Sequence, residues 1–234
     1  MCYSALVERD FEKLGERFEA DPWPDAFHNF ELLQKFEQET DPDEVKRILG
    51  LTRKPAGSKF KWLDEDDRIY PNYFAPVMVS DEGRTRIAPM RYRIRPAGSD
   101  KEVPSKYNMF NARIESLKKA WNWNRLIGKQ HAILPVKQIF ERVNNQVIGI
   151  APADRKTLNL AAIFDEWISA AGEIAFRSFA VITMPAPPDI LAIGHHRCPV
   201  PLSSEHVADW LTATSTDQAL DILGTVKTEC FEKI

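Results

Sequence analysis

An α+β fold is what this sequence predicts: one domain with a mixed, mostly antiparallel β-sheet, barrel-like at its core, and helices on its flanks. Three observations carry the expectation. Apolar residues recur at helical spacing through the first fifth of the 234-residue chain. The period then changes to two from Tyr70, and a capped helical pattern returns near the C-terminus. No repeat, low-complexity tract or interdomain linker intervenes. Residues 1–234 are therefore read as a single domain with a helical N-terminal insertion at about 5–65.

The elements follow in order. Residues 5–19 place Leu6, Phe11, Leu14 and Phe18 at spacings of three to five, which predicts a helix. Residues 24–38 put Phe27, Phe30, Leu33 and Phe36 on one stripe behind Pro24, a residue that favours a helix N-terminus. Residues 41–50 read as a short capped helix ending at Gly50, followed by the loop RKPAGSKFKW. YFAPVMVS and RTRIAPMRYRIRP alternate about the turn Asp81-Glu82-Gly83 and read as a hairpin. HAILPVKQIFERV, NQVIGIAPA, TLNLAAIFDEW and IAFRSFAVITMPA are further strands. Short strands at close spacing with prolines at their ends favour a compact sheet or barrel. SSEHVADWLTAT, capped at Ser203 or Ser204, and TDQALDIL close the chain as helices.

Composition is that of a globular protein, with 44% apolar and 28% charged residues. A formal net charge of −3 gives no global electrostatic case for nucleic acid, so any such binding needs a local basic patch. Cys2, Cys198 and Cys230 form neither a paired framework nor a CxxC pattern, which fits thiols kept reduced. No segment approaches the roughly 18–20 apolar residues of a membrane helix, and the N-terminus is charged too early for a signal peptide. The expectation is a soluble cytoplasmic protein.

Cys2 stands out among the reactive residues. Removal of Met1 would leave an α-amine, with a pKa of about 7.7–8.0, and a thiol, at about 8.5, on one carbon. Such a 1,2-aminothiol condenses with an aldehyde and closes to a five-membered thiazolidine, which a lone Cys cannot do. Arg84, Arg86, Arg91, Arg93 and Arg95 lie on one predicted strand. Alternation puts Arg91, Arg93 and Arg95 on one face, either as a phosphate-neutralising row beside Arg113 or as a solvated face balanced by acidic helices. Asn111, Arg113 and Glu115 form a second polar cluster, readable as a substrate-orienting set or as the polar face of a helix start. Glu141, flanked by Phe140 and Val143 in an apolar strand, would have its pKa raised by burial and suit proton transfer; a surface glutamate is the commoner alternative. His195 and His196 follow a strand and precede a Pro-restricted turn, a natural acid/base position with no metal-ligand spacing around it.

Taken in order, these segments resemble one family, the SOS-response-associated peptidase (SRAP) domain of abasic-site processing proteins. Met1-Cys2 begins the resemblance, and PNYFAPV is similar to the family's Asn-x-x-(Ala)-Pro stretch. Asn111-Ala112-Arg113-Ile114-Glu115-Ser116 is close to N-A-R-A-E-T, and HAILPVKQIFER to R-C-L-V-P-A-D-G-F-Y-E-W, matching at Pro135, Phe140 and Glu141. LAAIFDEW, SFAVITMPA and His195-His196-Arg197-Cys198-Pro199-Val200 resemble F-A-G-L-W-E, T-F-A-I-L-T-x-P-A and H-D-R-M-P-V.

The resemblance implies an SRAP fold and covalent capture of abasic sites in single-stranded DNA as a thiazolidine at Cys2, with self-processing peptidase and lyase activity. It implies catalytic roles for Cys2, Asn111, Glu141 and His195, and DNA contacts by Asn72, Pro76, Tyr92, Arg93, Arg113 and Arg197. It implies no metal or organic cofactor, no membrane, and a monomer that is nucleoid-associated in a cell. The chain departs from the family at Tyr3 and Ser4, where Gly and Arg are usual. It departs again at Tyr92-Arg93-Ile94-Arg95-Pro96, where the pattern is W-G-L-I-P. Two other classes compete: an N-terminal-nucleophile amidohydrolase or cysteine peptidase, and a non-catalytic single-stranded DNA-binding module.

Overall fold

The computed structural model describes residues 4–54, 57–63, 66–152, 157–226 and 231–233. In chain order the elements are β1 (Ser4–Val7), α1 (Phe11–Phe18), β2 (Asp21–Pro22), α2 (Pro24–Glu39), α3 (Pro42–Ile48), β3 (Arg68–Ile69), β4 (Phe74–Asp81) and β5 (Arg84–Tyr92). Then come β6 (Asn111–Arg113), a 3₁₀ turn (Ile114–Ser116), α4 (Trp121–Asn124), β7 (His131–Val143), β8 (Gln146–Pro152), β9 (Leu158–Ile168) and β10 (Ala175–Pro185). The chain ends with α5 (Pro188–Ala192), β11 (Arg197–Pro199), β12 (Pro201–Leu202), α6 (Ser204–Thr212), α7 (Thr216–Gly224) and β13 (Phe231–Lys233).

Five strands close a ring. β9 pairs β10, β10 pairs β5, β5 pairs β4, β4 pairs β7, and β7 returns to β9 from His131↔Ile163 to Val136↔Leu158. The β4–β5 hairpin turns on Glu82 and Gly83, both at positive φ (47° and 77°), with Asp81 opposite Arg84. That is the mirror-image turn whose twist suits a two-residue hairpin, and glycine takes it without a steric penalty. The α+β expectation with a barrel-like core therefore stands.

Alternation along β4 sorts the core. Ala75, Val77 and Val79 join Ala88, Leu134, Phe179 and Val181 in one cluster built almost wholly from strands. Met78 turns the other way, to a cluster that includes Leu14 of α1, Trp210 of α6 and Ile222 of α7. The helices α2 and α3 cover a third, aromatic-rich cluster in which Phe30 lies 4.7 Å from Phe74 and Phe60 lies 5.8 Å from Phe176. Among the described residues no helix is long and apolar enough to cross a membrane.

The start of the chain differs from the sequence reading. Residues 5–19 were expected to be one helix, but Ser4–Val7 is a strand and the helix starts at Phe11. Asp10 caps it, its carboxylate accepting from the amides of Glu12 and Lys13. The four-residue strand is held by its partners, pairing with β7 on one side and β3 on the other.

β7 outruns the barrel. Its first half lies in the ring between β4 and β9, while its second half pairs β1 on one edge and β8 on the other. The far end of this strand carries Glu141.

His131 opens β7 as a buried, neutral imidazole. Its Nε2 accepts from the Gly128 amide at 2.9 Å and its ring tilts over Trp210 at 4.3 Å. Burial holds its pKa down at about 4. The unfolded chain takes up this proton near pH 6.5 and the folded chain only near 4, so stability falls as pH drops through that window. About 3 kcal/mol is expected to be lost by pH 4 on this account. Urea titrations from pH 7 to 4 on the wild type and His131→Gln test it; equal acid sensitivity of the two proteins contradicts the assignment.

Candidate active site

Glu141 shares the inward face of β7 with Ile139 and Val143, and only 3% of its surface is exposed. Burial raises its carboxyl to about 7. His195 faces it, with Nε2 3.3 Å from Glu141 Oε2. The backbone that brings His195 there follows α5 through Gly194, at φ 95°. A Cβ on that glycine would meet Val143 Cγ1 at 3.0 Å, so the close approach to β7 depends on its absence.

The tautomer of His195 follows from its partners. Nδ1 lies 2.7 Å from the Arg197 carbonyl oxygen, which can only accept, so Nδ1 carries the hydrogen. The Nε2 lone pair is left facing Glu141. Burial also lowers the His195 pKa. Both shifts favour one neutral arrangement, a protonated Glu141 beside a neutral His195. From this arrangement Glu141 can give a proton and His195 Nε2 can take one near neutral pH.

The second cluster is assembled around the end of β10. β6 runs parallel to it, with Asn111 opposite Val181 and Arg113 opposite Thr183, while β11 runs antiparallel with Pro199 opposite Thr183. Because Thr183 has one partner on each edge, β6 and β11 flank the same strand end. Across it Arg197 forks onto Glu115, Nη1 donating to Oε1 at 2.6 Å and Nη2 to Oε2 at 3.0 Å. Nη2 also donates to the Thr183 carbonyl at 2.7 Å. This hydrogen bonding, foremost, holds the Glu115 carboxyl below its usual range. The guanidinium of Arg197 is thus committed to a protein carboxylate, and Arg113 is the exposed cation of the motif.

Asn111 is buried and its backbone N–H donates to Asn108 Oδ1 at 3.0 Å. It lines a groove of ≈ 570 Å³ with Tyr107, Asn108, Arg113, Ser116 and Trp121. Tyr107 and Trp121 are 55% and 67% exposed, an aromatic rim that the sequence did not single out.

At the chain start, Ser4 pairs with Phe140, the residue before Glu141. The Arg68 guanidinium donates to Ser4 Oγ from Nε at 3.1 Å and from Nη2 at 2.9 Å, and stacks 3.7 Å over the Phe140 ring. Arg68 was missed because a lone arginine in DEDDRIY carries no motif; its place is fixed only by the β1–β3 pairing, Leu6 opposite Arg68. Cys2, the expected nucleophile, lies outside the described residues, as does Cys230. Cys198 is buried and its thiol is pushed up to about 12, first by burial and then by Glu141, so it is no nucleophile at neutral pH.

Three residues expected to contact DNA lie inside the protein. Tyr92 has no exposed surface and stacks on Phe179 at 5.1 Å, so it has no face to offer a base. Pro76 is buried at the middle of the β4–β5 ladder, opposite Pro89. Arg93 is 7% exposed and turned inward, its Nη1 3.4 Å from Glu102 Oε1. Asn72 is exposed, at φ 80°, with its amide donating to the Tyr92 carbonyl at 2.7 Å.

Residues 34–233 match the family model described as SOS response associated peptidase (SRAP). The chain is similar to the abasic site processing protein YobE of Bacillus subtilis strain 168, 24% identical over 155 residues, covering 64% of this chain and 69% of that protein. It is similar to the abasic site processing protein YoqW of the same organism, 23% identical over 154 residues, covering 64% and 67%. A solved structure from Bordetella bronchiseptica aligns over 99% of this chain and 98% of its own, with a TM-score of 0.65 at 20% identity. One from Bacteroides thetaiotaomicron aligns over 88% and 87%, with a TM-score of 0.61 at 19% identity. At such identities these two show a shared fold.

Proposed function

The chain belongs to the SOS response associated peptidase family, and on that premise we propose that it processes abasic sites in single-stranded DNA, capturing the lesion covalently through Cys2. The observation that carries this reading is that buried Glu141, on the strand that receives the chain start, is paired with half-buried His195. Ser4, the first described residue, pairs with the residue next to Glu141, so the described start of the chain runs beside the pair.

The chemistry balances as follows. The Cys2 amine adds to the C1′ aldehyde of the ring-opened sugar, and Glu141 donates a proton to the carbinolamine hydroxyl, which leaves as water and gives the iminium. The Cys2 thiol returns a proton to the Glu141 carboxylate and the thiolate adds to the iminium carbon, closing the thiazolidine with net loss of one water. Both nucleophiles sit on one residue, so closure is intramolecular. His195 Nε2 takes and returns the proton needed for ring opening and for reversal. Asn111 holds the amine or a sugar hydroxyl. The same Schiff base offers a lyase route, in which loss of a C2′ proton expels the 3′ phosphate. Removal of Met1, which frees the amine, is the self-processing that the family's peptidase name describes.

The strand itself is held by the groove beside Asn111. Trp121 and Tyr107 provide stacking faces, Arg113 a phosphate contact, and Arg68, bonded to Ser4, the cation that the family pattern has at position 4. Trp121→Ala is expected to weaken single-stranded DNA binding by about 1–3 kcal/mol, measured by fluorescence anisotropy; unchanged affinity removes Trp121 from the binding face. The proposal as a whole is tested on a denaturing gel after incubation with single-stranded DNA carrying one abasic site. A heat-resistant adduct, absent with intact DNA, is expected. No adduct from protein shown by mass to begin at Cys2 contradicts it.

A further inference from the structure

Three arginines converge inside the protein on one carboxylate. Arg91, Arg93 and Arg95 are 5%, 7% and 0% exposed, and their guanidinium nitrogens lie 2.8, 3.4 and 3.9 Å from Glu102. The exposed Asp100 is the other carboxylate that acts on Arg95, through space. The buried cluster itself therefore carries three positive charges against one negative. Isolated charge is expensive to bury, and burial pulls Arg95 down to about 10 and Arg93 in the same direction. Contacts with rings offset part of that cost, Arg95 standing 3.6 Å over Trp167 and Arg91 4.7 Å over Phe176.

Two further observations point to a missing acceptor. The Nε–H groups of Arg91 and Arg95 are buried with no hydrogen-bond partner among the described residues, and an unpaired buried donor is costly. Arg93 also sits at φ 141°, a conformation that L side chains avoid, where the family pattern has glycine. A strained backbone is thus kept while a long cation is turned inward.

The same arginines line a cavity of ≈ 110 Å³ with Lys59, Asn72 and Glu102. That volume holds about three to four waters at roughly 30 Å³ each, comparable to one tetrahedral oxyanion. Lys59 is half-buried and Asn72 exposed, giving the cavity a polar, cationic mouth. We propose that this cavity is a binding site for a phosphate-sized oxyanion, either free phosphate or a terminal phosphomonoester, held by Arg91, Arg93 and Arg95. Four oxygens on one centre supply acceptors for both orphaned Nε–H groups and offset the excess charge. Neither Glu141 nor His195 is among the residues that line the cavity, and Arg91 registers with Ser178, five residues before the Arg197-bonded Thr183 on β10, on the order of 16 Å of strand. The site does not depend on any chemistry at Cys2.

The test uses the intact protein in thermal denaturation with increasing inorganic phosphate, against sodium chloride at matched ionic strength. A saturable rise in Tm with phosphate, absent with chloride, is expected. Arg93→Gly removes one cation and relieves the backbone, so it is expected to fold at least as stably without ligand while losing about tenfold or more in phosphate affinity. Lys59→Met, at the mouth, is a second variant that leaves the buried cluster untouched and is expected to weaken binding less. Single-stranded oligonucleotides with and without a 5′ phosphate separate the sources. A preference for the phosphorylated strand that vanishes in Arg93→Gly assigns the terminal phosphomonoester, and a response to inorganic phosphate alone assigns the free ion. No saturable response to either ligand, or an equal response in the wild type and Arg93→Gly, overturns the proposal.

Discussion

Glu141→Gln is expected to slow adduct formation by about 10²-fold or more, the scale on which a placed general acid or base acts, while DNA affinity stays within a few-fold. Glutamine keeps the shape and a hydrogen bond to His195 but cannot pass a proton. The pH profile carries the sharper signature. The acid form of Glu141 is lost as pH rises through about 7, whereas the reactive free amine is gained up to about pH 8. A maximum between the two is expected for the wild type, and the variant should lose the descending limb. Stability serves as the control. A carboxyl raised in the folded state holds a proton that the unfolded state releases near pH 4.5, so the wild type loses stability as pH rises from there through about 7, by about 3 kcal/mol. The glutamine variant should therefore be at least as stable at pH 8. An unaltered rate and profile would remove Glu141 from the chemistry.

Trp210→Ala carries the largest structural effect. The indole is fully buried beneath α6, its Nε1 donates to the Ala132 carbonyl at 2.9 Å, and its ring covers His131. Loss of that volume and hydrogen bond is expected to remove about 3–5 kcal/mol, a fall in Tm on the order of 10 °C for a chain of this size. The variant's acid sensitivity should also weaken, because His131 regains water and its pKa moves back toward normal. A change in Tm under about 2 °C would show that α6 is not anchored through this residue.

Much of the barrel was legible because its signals are local. The hairpin announced itself through Glu82 and Gly83 between alternating strands, and HAILPVKQIFERV coincides with β7 as observed. Glu141 was half legible: its apolar strand allowed burial or a surface position, and the structure buries it, which raises its pKa. What failed were features fixed by distant partners. Ser4–Val7 is too short for alternation to be told from helical spacing, and its pairing lies more than a hundred residues away in β7. Alternation placed Arg91, Arg93 and Arg95 on one face, and they do meet, but as a buried cluster. β5 ends at Tyr92 and the turn at Arg93 sends the side chains to Glu102, which no motif marked as their counter-ion. Tyr92 and Pro76 matched a pattern whose surface role depends on neighbours the sequence does not display, and both are covered here.

The thiol requirement is the most direct test of the proposed capture. Wild-type protein and Cys2→Ala, each shown by mass spectrometry to lack Met1, are incubated with an abasic single strand with and without borohydride. Cys2→Ala keeps an α-amine and can form a Schiff base but no thiazolidine. The expected result is a heat-stable wild-type adduct without reductant, one water lighter than the sum of its parts, and an adduct of Cys2→Ala only when borohydride traps it. A heat-stable, unreduced adduct of Cys2→Ala would contradict capture through the aminothiol.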